Sequence, residues 1–180
     1  MTNPRLTFDQ LAALDPCDLP SRAKLFPDPS KPIDARQAIA KGVSIRDLLW
    51  VAGKLNLQPQ VVEFAIAVAQ RVAHLDPSGS AQRCLDATIA HQKDPSPENM
   101  GILKACRNAA ADAAYYAADA ATYAATSAVR AADVATSRAA AYAAYATSDA
   151  SAAAHYDAAE REAQKVILLD IFAPRGATTL

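Results

Sequence analysis

Residues 109–156 read AAADAAYYAADAATYAATSAVRAADVATSRAAAYAAYATSDASAAAHY. They belong to a longer stretch, from Gly101 to Gly176, in which no glycine intervenes, the one proline is Pro174 and about two residues in five are alanine. Alanine loses no side-chain entropy on entering a helix, and only scattered serine and threonine compete for the backbone here, so the stretch is expected to be helical. At about 1.5 Å per residue, residues 102–173 would span about 108 Å as one helix. A compact chain of this length has a radius of gyration of about 16 Å. The stretch must therefore fold back at least once, unless it forms a long oligomeric rod. Ala-Thr-Ser recurs at 125–127, 135–137 and 146–148. Serine and threonine are weak inside helices and favoured at their starts, so each triplet is a candidate break. The expected turn lies at 147–151, where Ser148, Asp149 and Ser151 offer three caps close together. The final helix then ends on Val166 to Phe172, before Pro174.

Working outward, residues 1–33 hold six of the eleven prolines and read as a short helical piece near Leu6 to Leu14 followed by an irregular arm. Asp34 can cap a short helix that stops at Gly42, and Ser44 with Asp47 starts a helix through SIRDLLWVAGKL. Leu48, Leu49, Val51 and Leu55 fall near one of its faces, with Trp50 beside them. Residues 56–59 read as a turn, residues 61–75 as an apolar helix closed by Asp76-Pro77-Ser78-Gly79, and residues 81–92 as a further helix. Ser96, Pro97 and Glu98 supply an N-cap, a first-turn proline and a first-turn acid for the long segment. The expected architecture is all-α: a single-domain helical bundle over residues 1–180 with a long alanine-rich helical hairpin. Its parts are the arm (1–33), short helices (34–96), alanine-rich helices (97–173) and a tail (174–180).

Eighteen Lys and Arg face nineteen Asp and Glu, and the balance holds in each half, which leaves no basic patch of the kind phosphate contacts need. A nucleic-acid partner is not expected. The N-terminus lacks a basic segment followed by an apolar one, and apolar runs such as 61–73 are broken by Glu63, Gln70 and Arg71, so neither a secretory signal nor a membrane partner is expected. Three cysteines, Cys17, Cys84 and Cys106, fit reduced thiols in a cytoplasmic protein better than a disulfide framework.

Chemistry is hard to find. Only five glycines are present and none are two apart, so a phosphate-cradling loop is lacking, and neither G-x-S-x-G nor H-E-x-x-H occurs. Cys84 and His91 lie seven apart on one helix face, but neither they nor Cys106 has paired metal-ligand spacing. His74 and His155 are isolated. Threonines at 126, 136 and 147 are ten and then eleven apart, with charges between them, so they make no regular ice-binding lattice. The expectation is a protein without enzymatic activity and without cofactors.

The alanine helix itself carries the candidate site. At about 100° per residue, Asp112, Tyr116, Asp119, Tyr123, Thr126, Arg130, Asp133 and Ser137 fall in one stripe, opposite a face of alanine. Tyr142, Tyr145, Asp149, Tyr156 and Glu160 make a second stripe. One reading buries the rings against the N-terminal helices and leaves the charges to solvent. The other makes the stripes a partner surface, since tyrosine offers large contact area at low entropy cost. The interaction residues expected on that reading are Asp112, Tyr116, Asp119, Tyr123, Arg130, Asp133, Tyr142, Tyr145, Asp149 and Tyr156.

The order LTFDQLAALDPC, then GVSIRDLLWVAGKLNLQPQVVEFAIAVAQRVAHL, then a proline-flanked helix and an alanine-tyrosine tract closing on QKVILLDIF, resembles the alanine-rich immunity-protein family of bacteria and their phages. The more specific part of the resemblance is Asp47 to Leu55 together with RVAHLDPSGSAQRCLDATIAH; the alanine tract could converge on composition alone. The resemblance implies an all-helical, non-catalytic inhibitor that neutralises a toxin of a polymorphic-toxin or contact-dependent system. It carries no catalytic residues across. Two alternatives stand beside it: a phage-encoded anti-defence protein that blocks a host effector such as a CRISPR complex, and a self-assembling structural protein whose alanine faces zip copies together. The expected partner is thus a protein, either a toxin or defence effector or a second copy of the chain.

Overall fold

The computed structural model describes residues 4–117, 120–133, 139, 142–143, 145–146, 149–150, 152 and 158–173; residues 110–117, 120–123 and 133 are described by their backbone alone. The fold is all-α apart from one ladder of two residues a side, in which β1 (Arg5–Leu6) pairs antiparallel with β2 (Ile33–Asp34). Among the described residues the continuous α-helices are α1 (Phe8–Ala12), α2 (Leu19–Ala23), α3 (Ala35–Ala40), α4 (Ile45–Lys54), α5 (Gln58–Val72), α6 (Ser80–Lys93), α7 (Pro97–Ala117), α8 (Ala120–Asp133) and α9 (Ala158–Phe172).

Most starts are set by short polar side chains. Thr7 and Asp34 each form a reciprocal capping box, with Gln10 and Gln37. Ser44 accepts from the Asp47 amide at 3.1 Å and donates to its carboxylate at 2.8 Å. The start of α6 differs: Gly79 stands at its N-cap with φ 67°, a left-handed conformation that glycine enters without a Cβ penalty. Asp76, upstream, supplies the acceptor instead, taking the Ala81 amide at 2.7 Å. Asn56 ends α4 with φ 58°. Pro59, expected in that turn, lies inside the first turn of α5, where its missing N–H deprives no intrahelical bond.

The alanine-rich segment turns back earlier than expected. α7 ends at Ala117, α8 begins at Ala120, and the two pack against each other. Of the break expected at 147–151, Asp149 and Ala150 are helical and the other three residues lie outside the described set.

α8 is the centre of the molecule. It packs on α5, α6 and α7 at once, and residues 124–129 and 131 are all buried. A helix enclosed on so many sides must be narrow, and alanine lets neighbouring axes approach to the short end of the usual 8–10 Å or so. Thr126, placed by periodicity on a polar stripe, is therefore buried. Beyond α8, Ala139, Ala143, Ala146 and Ala150 are fully buried at spacings of four, three and four, a seam of the a/d type.

On the far side of α5, α9 buries Glu160, Gln164, Leu168 and Phe172, a single ridge at intervals of four. The upper half of this ridge is polar and internally satisfied. Arg71 of α5 donates to Glu160 at 2.8 Å, and the Gln164 amide donates to the other carboxylate oxygen at 3.2 Å. The Glu160 side chain is 6% exposed and that of Arg71 43%.

Candidate protein-interaction surface

Two of the expected tyrosines and the expected arginine come together. Arg130 is exposed on α8, and its guanidinium stands 5.8 Å from the ring centroid of Tyr142. Tyr142 meets Tyr145 edge to face, at 6.1 Å between centroids and 61° between planes. Tyr142 is half-buried and packs against the core, whereas Tyr145 is 59% exposed. The buried alanine seam explains this gradient. Positions 139, 143, 146 and 150 face inward, so 142 lies at the edge of the seam and 145 farther around the helix.

Asp149 continues the same stripe and is less exposed than Tyr145. It is half-buried, and the Ser127 hydroxyl on α8 donates to its carboxylate at 3.1 Å. Burial pushes the Asp149 carboxyl above its usual range, with the Ser127 hydrogen bond pulling the other way. The contacts 127 to 149 and 130 to 142 run in opposite chain directions, so the segment after α8 lies antiparallel to it. The sequence marks Ser127 only as part of a candidate break; its role in holding the stripe depends on hairpin register, which periodicity does not contain.

Asp133 belongs to α8 by its backbone. Asp119 and Tyr156 lie outside the described residues, as do the side chains of Asp112, Tyr116 and Tyr123. Glu160, assigned by spacing to the second stripe, is the buried partner of Arg71.

The thiols and the histidine of α6 lie elsewhere. The Cys84 thiol donates to the Cys106 carbonyl at 3.2 Å, and the Thr88 hydroxyl donates to the Cys84 carbonyl at 2.7 Å. Burial, reinforced by the neighbouring Cys106, pushes the Cys84 thiol up to about 12, which leaves it protonated at neutral pH and a poor nucleophile. His91 is buried on the same helix, and among the described residues its Nδ1 has no hydrogen-bond partner. Among the described residues no group of three His, Cys, Asp or Glu is placed to hold a metal ion, and no helix is long and apolar enough to cross a membrane.

Comparison with protein-family models, curated proteins and solved structures finds no match to this chain.

Proposed function

We propose that this chain is a non-catalytic protein-binding inhibitor, a toxin-neutralising immunity protein of the type its sequence resembles. The observation that carries the reading is the contiguous Arg130, Tyr142 and Tyr145 surface. Arginine and tyrosine are enriched among the residues that dominate binding energy, and Tyr145 offers an exposed ring already braced by a neighbour. Inhibition by occlusion needs only shape and charge complementarity, and a surface held by a rigid alanine hairpin loses little entropy on binding.

The test is co-expression with a toxin encoded beside its gene. Growth rescue together with a complex of defined mass in solution is the expected result. Tyr145→Ala and Arg130→Ala should each weaken the complex about tenfold or more, the loss that about 1.4 kcal/mol produces. Rescue that survived both substitutions together, in a folded protein, would move the interface off this surface. A protein that associated only with itself would favour assembly instead.

A further inference from the structure

The arm roofs a cavity that stays partly open to solvent. The ladder at its base joins residue 5 to 34 and 6 to 33, the Phe8 amide donates to the Pro29 carbonyl at 3.2 Å, and Phe8 packs edge-on against Phe26 at 5.8 Å. From its far end Arg22 reaches α4 and grips Asp47 with both terminal nitrogens, at 3.0 and 3.1 Å. Between arm, α3, α4 and α9 lies a cavity of about 240 Å³. Leu11 and Phe26 line it from the arm, Leu48 and Val51 from α4, Leu168 and Phe172 from α9.

Volume and charge restrict what fits. A cavity of about 150 Å³ with a similar aliphatic and aromatic lining holds one benzene, so this one has room for about ten carbon atoms in place of six. Its polar wall consists mainly of Asp18, Asp34, Asp47 and Arg22. Arg22, the one cation among the described lining residues, is already engaged by Asp47 on two sides. Lys54 stands 5.4 Å from the Trp50 ring centroid but is not part of the wall. An anionic head would meet carboxylates and no unengaged cation of the wall, at a cost set by like-charge repulsion and desolvation.

We propose that the cavity beneath the arm binds a small aliphatic molecule of about ten carbons that carries a neutral or cationic head. This site involves none of Arg130, Tyr142 or Tyr145, so it stands or falls independently of the inhibitor reading. Trp50, the only tryptophan in the chain, lines the cavity and reports on it directly.

The experiment is titration of the full chain with decanol below its solubility limit and with decylammonium and decanoate below their micellar concentrations, read by Trp50 emission. Saturable binding of decanol or decylammonium is expected, with decanoate weaker by about tenfold or more, a difference of about 1.4 kcal/mol. Ala38→Leu and Leu55→Phe, which each add carbon atoms to the wall, should weaken binding. A series from hexanol to dodecanol, which needs no variant, should gain affinity up to about ten carbons and then stop. The proposal is overturned if no probe gives a saturable change, if decanoate binds as well as decanol, if affinity climbs through dodecanol without a break, or if a folded filled variant binds unchanged.

Discussion

The Arg36 guanidinium on α3 donates to the Ala173 carbonyl at 2.8 Å, joining residues 137 positions apart in the chain. The acceptor lies just past the end of α9, where helix carbonyls lack intrahelical partners and where a cation also complements the helix dipole. Arg36→Ala should lower stability by about 1 kcal/mol. The loss should be localised, so amide hydrogen exchange ought to quicken at Leu169 to Phe172 while the amides of α5 keep their protection.

Arg71 and Glu160 are expected to show a steeper asymmetry. Removing the arginine strands a carboxylate in the interior, and Arg71→Ala should cost about 2 kcal/mol, below the 3–5 kcal/mol or so typical of a fully buried pair because the arginine itself is partly solvated. Replacing both, as Arg71→Met with Glu160→Leu, should restore part of that loss, since the desolvation of the carboxylate then disappears while the buried Gln164 amide loses an acceptor. Urea denaturation of the single and double variants measures the difference.

Two carboxyls should shift stability with pH in opposite directions. Desolvation is the largest influence on Asp47 and raises it, but hydrogen bonds from Ser44 and Arg22 and the charges of Arg22 and Arg46 outweigh it, so the group sits below its ordinary 3.8. Its contribution is present at neutral pH and is lost as pH falls through about 4 and below. Asp149 sits above 3.8, chiefly through burial, so its penalty is absent well below pH 4 and grows as pH rises from about 4 through its folded value. Asp149→Asn should therefore stabilise the protein at pH 7, by less than about 1 kcal/mol for a half-buried group, and the gain should vanish in acid. Asp47→Asn should do the reverse, and thermal melts at pH 3 and pH 7 separate the two.

The cysteines should label unequally. Cys17 is exposed, whereas Cys84 is buried and its thiol stays protonated. Iodoacetamide at pH 8 should modify Cys17 in the native protein and leave Cys84 untouched until denaturant is added, as peptide mass mapping would read out. Labelling of native Cys84 at the rate of Cys17 would mean that α6 and α7 separate readily.

The legibility of this fold follows the range of the interactions involved. Asp34, Ser44, Ser96 and Pro97 act on backbone within a few positions, and each stands at the helix start expected of it. Neither glycine nor proline stands between α7 and α8 to mark the reversal of the chain, and the Ala-Thr-Ser triplets read as candidate breaks include Thr126 and Ser127 inside a continuous helix. Spacing put Tyr142 and Tyr145 on one stripe, but their unequal exposure comes from the alanine seam, and Arg130 meets Tyr142 only through the hairpin register. The cavity depends on Arg5 and Leu6 finding Ile33 and Asp34, a pairing that two-residue strands do not announce.

The seam at Ala139, Ala143, Ala146 and Ala150 turns a monotonous tract into a reading frame. Substitutions on its outer side should leave folding intact, yet one alanine gained or lost by replication slippage upstream of it would rotate everything that follows by about 100°. A gain would drive Tyr142 and Tyr145 inward, a loss would swing them farther outward, and either would take the alanine methyls out of the seam. A stretch that tolerates many spellings thus has almost no tolerance for a change in length, and natural variants of this gene should differ there by substitution, or by whole blocks of seven, in preference to single residues.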